Sequence, residues 1–188
     1  MDYNIVKEDL VLDEFLKVYK AQVEYKNFTN DHKTTATRFA LDRGDSVAVL
    51  LYEKDTDSIL FTEQYRYPSS RRNHALMLEL VAGAIENGES AADSCKREVL
   101  EELGYKVDGL QLIHKYFPSP GVSSEVIYLF YAEVNKADKL GEGGGTVNEK
   151  EDIKLVKLSR KRIHQKLKEH YFNNSVSIIG LQWFLLNK

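Results

Sequence analysis

The chain has 188 residues, enough for one domain with a sizeable core, or one domain and a small accessory unit. Its 43% hydrophobic and 29% charged residues, with 3 prolines, exclude collagen-like, low-complexity and disordered chains. Lys and Arg number 26 against 29 Asp and Glu, a net charge of −3, so the basic field that gathers nucleic acid is missing and no nucleic-acid partner is expected.

Residues 1–9 carry neither the basic nor the apolar segment of a signal peptide, and no apolar run reaches membrane-spanning length. A single cysteine, Cys95, leaves no intramolecular disulfide to form, so a cytoplasmic protein without a membrane partner is expected. Residues 15–25 alternate, Tyr19, Ala21, Val23 and Tyr25 against Lys20, Gln22 and Glu24, the period of a half-buried strand. A second strand is predicted at 34–41, and the Asn- and Asp-rich stretch between makes the pair a hairpin with a longer loop. After the break at Asp42-Arg43-Gly44-Asp45, residues 47–52 form an almost unbroken apolar run, as in a strand covered on both faces, and 59–66 repeats it. Further strands are predicted at 76–81, 110–117, 125–134 and 153–158, and helices at 90–103, 160–171 and 176–186. The pattern divides the chain into an N-terminal β subdomain, 1–43, and a core domain, 44–188. The glycine-rich acidic loop 141–152 is expected to be mobile, which suits a lid.

The most informative helix is 90–103. Ser90 followed by Asp93 resembles a capping box, Glu89 stands near the positive end of the dipole, and Gly104 suits a left-handed cap. At 100° per residue Ala92, Cys95, Val99 and Leu103 make an apolar stripe, with Glu98, Glu101 and Glu102 on an adjacent one. Each like-charged pair at such spacing costs roughly 0.2–0.5 kcal/mol, and the last two acids stand at the negative helix end. Helix stability does not explain them. A solvated acidic face is the bland alternative; against it, a Gly-containing turn leads directly into the helix and Arg97 faces back toward Glu89, giving a fixed shape of the kind that holds oxygen ligands for a hard divalent cation.

The segment from Gly83 to Tyr105 resembles the Nudix box, G-x5-E-x7-R-E-U-x-E-E-x-G-U with U a bulky apolar residue. Gly83, Glu89, Arg97, Glu98, Val99, Glu101, Glu102 and Gly104 meet the specified positions, with Tyr105 as the final U. A chance match in such a chain is on the order of one in ten million. The resemblance implies an α+β fold, the Nudix α/β/α sandwich with a mixed β-sheet, here with a small N-terminal antiparallel β subdomain. It also implies hydrolysis of a nucleoside diphosphate linked to another moiety, with Mg2+, or alternatively Mn2+, as cofactor.

Outside the box, Arg38-Phe39-Ala40-Leu41-Asp42-Arg43-Gly44, Glu63-Gln64-Tyr65-Arg66, Glu79-Leu80-Val81-Ala82-Gly83 and Ser119-Pro120-Gly121 are similar to the branch of ADP-ribose pyrophosphatases and GDP-mannose hydrolases. That likeness implies metal ligation by Glu98, Glu101, Glu102 and the Ala82 carbonyl, with Glu89 and Arg97 as the pair that shapes the loop. It makes Glu149 or Glu151 the base that activates water, the other ligating metal. Arg66 and Glu125 are implied as diphosphate or base and terminal-ribose contacts. Arg38 and Phe15 are implied as the adenine clamp, in part from the second subunit of a homodimer whose N-terminal strands swap; each could equally be an ordinary strand residue. Glu79 stays unassigned between a loop-amide pairing and a catalytic role. The expected reaction is ADP-ribose to AMP and ribose 5-phosphate. GDP-mannose or another nucleotide sugar is the alternative substrate, and a non-catalytic ADP-ribose sensor the alternative class.

Overall fold

An antiparallel sheet of three strands opens the chain, β1 (Tyr3–Asp13), β2 (Lys17–Lys26) and β3 (Lys33–Asp42), in that spatial order. The computed structural model describes residues 2–29, 32–146, 148 and 150–188. β2 and β3 form the predicted hairpin, paired from Lys17↔Asp42 to Lys26↔Lys33. Phe15, expected to begin the first strand, stands outside it with its side chain in solvent. β1 was not predicted. Bulges between Ile5 and Lys7 and between Leu10 and Leu12 shift its register twice, so its apolar residues come in clusters instead of alternating. The segment Phe117–Val126 belongs to the same compact unit, with Leu41 N–H donating to the Val122 carbonyl at 2.8 Å and Ser124 N–H to the Leu41 carbonyl at 3.0 Å.

The second unit comprises Asp45–Tyr116 and Ile127–Lys188. Its sheet is mixed: β4 (Ser46–Glu53) runs parallel to β9 (Ile127–Val134) and antiparallel to β5 (Ser58–Tyr65), with β10 (Lys154–Ser159) and β8 (Gln111–Tyr116) flanking them in the order β10-β5-β4-β9-β8. Val47, Ala48, Val49, Leu50 and Leu51 are fully buried, as the unbroken apolar run requires. Val47, Val49 and Leu51 face one core with α2 (Ala91–Leu103), while Ala48 and Leu50 face another with α3 (Arg160–Lys168) and α4 (Ser175–Asn187). Helices therefore cover both faces, the α/β/α arrangement.

One predicted strand, 76–81, is two. β4 and β5 pair only at Leu51↔Leu60 through Glu53↔Ser58, and the sheet splits beyond that point. β6 (Leu76–Glu79) continues on β5 and β7 (Val81–Ala84) on β4. Leu80, fully buried at the split, donates its N–H to Ser177 Oγ of α4 at 3.3 Å. This brings the chain from Ala82 and Gly83 under α2. A four-residue helix α1 (Tyr67–Ser70), also unpredicted, caps the β5–β6 connection.

Candidate active site

Ser90 caps α2, its Oγ accepting the Asp93 N–H at 3.1 Å, and Gly104 closes the helix at φ 74°. Cys95, Val99 and Leu103 are fully buried, each such Val or Leu contributing on the order of 2 kcal/mol. That anchoring carries the neighbouring acidic stripe inward. Glu98 is 8% exposed and Glu102 2%, so these acids are no solvated face.

Arg97 organises the turn before the helix. Its Nε donates to Glu89 Oε1 at 3.0 Å, and Nη2 donates to Glu89 Oε2 at 3.1 Å and to the Ala84 carbonyl at 3.0 Å. Nη1 reaches Glu98 Oε1 and Glu101 Oε2, both at 2.9 Å. Glu89 also accepts from Ser94 Oγ at 2.7 Å and from the Glu86 N–H at 3.3 Å. The hydrogen bonds from Arg97 and then Ser94 hold the Glu89 carboxyl down at about 2.

Burial pushes Glu98 up to about 7, with Arg97 opposing and Glu101 and Glu151 adding to the rise. Glu102 is raised well above the usual carboxylate range, first by burial, then by Glu98 and Glu151; Arg66 and a backbone hydrogen bond from Ala82 work the other way. Its Oε2 is buried without a hydrogen-bond partner. A buried carboxylate oxygen with no partner is costly unless something positive meets it. Gly83 makes the approach possible, because a Cβ there would lie 1.9 Å from Glu98 Oε1. These donors are all hard oxygens, so the residues fit a Mg2+-type ion. Among the described residues no three acidic, His or Cys side chains form a complete ligand set, which leaves backbone carbonyl, water and substrate oxygens to complete the shell.

Arg66, at the end of β5, donates its Nε to Glu79 Oε2 of β6 at 2.8 Å. The partner of Glu79 is thus a guanidinium, not a loop amide. The strand sequence hints at it through a lone acid in an apolar run, but its partner lies 13 positions away. Arg66 and Glu151 border one cleft of about 630 Å³, together with Tyr65, Leu76 and Asp152, a volume in the range of small-molecule sites. Glu151 Oε2 accepts the Thr146 N–H at 3.2 Å. Ala82 lies on β7 opposite Ala48. Glu149 lies outside the described residues. The loop expected to be mobile is docked over 141–146: Gly144 N–H donates to the Glu102 carbonyl at 2.9 Å and Gly145 N–H to the Glu101 carbonyl at 3.0 Å.

Phe15, Arg38 and Glu125 belong to the N-terminal unit. Phe15 is 94% exposed and so no core residue. Arg38 is exposed on β3, Nη2 donating to Tyr25 Oη at 3.2 Å and Nη1 to the Thr37 carbonyl at 3.0 Å. Glu125 is half-buried, 3.7 Å from Arg43 Nη1.

Residues 42–172 match the NUDIX domain, and the chain belongs to that family. It is 35% identical over 191 residues to the ADP-ribose pyrophosphatase of Haemophilus influenzae, covering 99% of this chain and 87% of that protein. The ADP-ribose pyrophosphatase of Escherichia coli K12 is 28% identical, with 99% and 89% covered. The GDP-mannose pyrophosphatase of Cronobacter sakazakii is 29% identical over 147 residues, with 77% and 75% covered. A crystal structure of an ADP compounds hydrolase superposes with a TM-score of 0.73 at 20% identity over 99% of this chain and 95% of that one, a likeness of fold. Hydrolases of the family generally work with divalent metal ions. Among the described residues no helix is long and apolar enough to cross a membrane.

Proposed function

We propose that this Nudix hydrolase cleaves the pyrophosphate bond of a nucleoside diphosphate sugar, ADP-ribose to AMP and ribose 5-phosphate. The observation that carries it is the Glu98–Glu102 pair, buried on a rigid helix with one carboxylate oxygen unpartnered. ADP-ribose is favoured because the two ADP-ribose pyrophosphatases match over 99% of this chain, whereas the GDP-mannose pyrophosphatase matches over 77%. A sensor that binds without cleaving has no use for so costly a pair of acids.

Glu98 and Glu102, with Glu101 and the Ala82 carbonyl, would hold Mg2+, which when bound would neutralise charge on the diphosphate and make a water easier to deprotonate. Glu151 takes the proton of the attacking water as the water's oxygen bonds to phosphorus and the bridging P–O bond breaks, the electron pair of that bond leaving with the second phosphate. Glu149, two positions earlier, is the other candidate for that proton. Arg66 meets the diphosphate, and Glu79 fixes the plane of its guanidinium. Glu89 and Arg97 keep turn and helix in register.

Phe15, Arg38 and Glu125 are assigned to base and ribose recognition. An aromatic ring as exposed as Phe15 has no role in its own unit's core. The N-terminal unit also serves as the dimerisation element of a homodimer with swapped strands, a role supported by the exposed apolar residues of β1. The cytoplasm is the assigned compartment.

A hydrolysis panel over ADP-ribose, GDP-mannose, UDP-glucose and NADH, with Mg2+ and with chelator, tests this. The expected result is Mg2+-dependent release of AMP, with ADP-ribose the best substrate by kcat/KM. No turnover of any of the four, with ADP-ribose still bound, would replace the enzyme by the sensor.

A further inference from the structure

The glycine run Gly143-Gly144-Gly145 is hung from the end of the helix that carries the acids. A helix leaves its last carbonyls without intrahelical partners. Here two of them, on Glu101 and Glu102, accept the N–H groups of Gly145 and Gly144, at 3.0 and 2.9 Å. The same run is tied onward to the base candidate. Ile153 N–H donates to the Gly144 carbonyl at 3.1 Å, Glu151 N–H to the Thr146 carbonyl at 3.3 Å, and Thr146 N–H to Glu151 Oε2 at 3.2 Å. Side chains are sterically shut out: a Cβ on Gly143 would meet the Glu102 carbonyl oxygen at 2.5 Å, and one on Gly145 would meet Glu151 Cβ and Oε2 at 2.6 Å. Both carry positive φ, 72° and 85°.

We propose that this run is a positioning strap, which registers the Glu151 carboxylate against Glu98 and Glu102 by hanging it from the backbone of Glu101 and Glu102 themselves. The donated N–H groups also offset the negative end of α2, where acidic side chains are least welcome. A strap of this kind sets the reach of the proton acceptor without touching substrate. Resting on the role given to Glu151 above, it deepens that role by naming what places the carboxylate.

Two measurements test it. Hydrogen exchange on the wild-type enzyme reads the strap with no substitution: the Gly144 and Gly145 amides are expected to exchange as slowly as the last turn of α2, and exchange at the rate of an unstructured peptide would overturn the strap. The second is a double-mutant cycle between Gly145→Ala and Glu151→Gln. In the wild-type background Gly145→Ala is expected to lower kcat about 100-fold, the cost of misplacing a reacting group by roughly an ångström, with KM little changed. In the Glu151→Gln background it is expected to cost almost nothing further, because the group it positions is already gone. An equal loss in both backgrounds would assign Gly145 to general stability and sink the positioning role. Should Gly145→Ala fail to fold, Thr146→Pro, which removes one N–H to Glu151, runs the same cycle. Full turnover by Glu151→Gln would overturn the role of Glu151 itself, and the exchange data would then judge the strap alone.

Discussion

Glu102 concentrates the conflict between stability and function. It is buried against a second acid, and one of its oxygens has no hydrogen-bond partner. Replacing such a charge by a neutral isostere relieves repulsion and desolvation together. Glu102→Gln is therefore expected to raise the melting temperature of the metal-free protein by about 2–4 °C at about pH 8, the shift that ~1 kcal/mol produces in a chain of this size. Calorimetry checks the gain, and the same variant is expected to lose several orders of magnitude in kcat. A variant both less stable and fully active would put the cost of the pair elsewhere. The residues of the box stood out in the sequence because their spacing and charge were improbable together. Glu79 stood out as an acid in an apolar run, but its partner Arg66 did not, because an ion pair between neighbouring segments 13 positions apart leaves no period.

At the level of the element, the turn from Ala84 to Ser90 and the helix behind it are locked through Glu89 and Arg97. Glu89 is an acid whose folded pKa, about 2, lies below its ordinary 4.5. Its contribution is complete above about 4.5 and is lost as the pH falls through about 2, the folded state there having to release Arg97 to take up a proton. The difference in melting temperature between wild type and Glu89→Gln is expected to be constant from neutral pH to about 4.5 and to shrink steadily below it. A difference independent of pH would mean that packing, not charge, holds the turn. The ends of α2 were legible from Ser90, Asp93 and Gly104, since caps are local. The splitting of 76–81 into β6 and β7 was not, because two strands with different neighbours share one apolar run. Nor was the docking of 141–146, whose glycines read as freedom when their hydrogen bonds, to carbonyls about 40 positions earlier, are invisible in composition.

For the whole molecule, the mixed sheet with helices on both faces was what the resemblance to the Nudix box implied; the apolar runs by themselves gave strands covered on both faces, and Val47 to Leu51 bear that out at zero exposure. The N-terminal unit was half legible. The β2–β3 hairpin alternates, while bulges broke the signature of β1 and a distant segment, Phe117–Val126, joined the unit. Ile5, Val6, Leu10, Val11 and Leu12 are each 43–51% exposed on β1, a strand that leaves apolar surface for a partner. Sedimentation velocity is expected to give a two-chain species, and Leu10→Lys with Leu12→Lys a folded single chain; a wild-type monomer at the same concentrations would remove the dimer from the proposed function.

The measurement that bears most directly on the proposed chemistry is a crystal of the enzyme soaked with Mn2+ and a non-hydrolysable ADP-ribose analogue, read by anomalous scattering. The expected result is a metal peak about 2.1 Å from oxygens of Glu98 and Glu102, bridged to the diphosphate. A diphosphate bound elsewhere, with no metal on those two carboxylates, would contradict it.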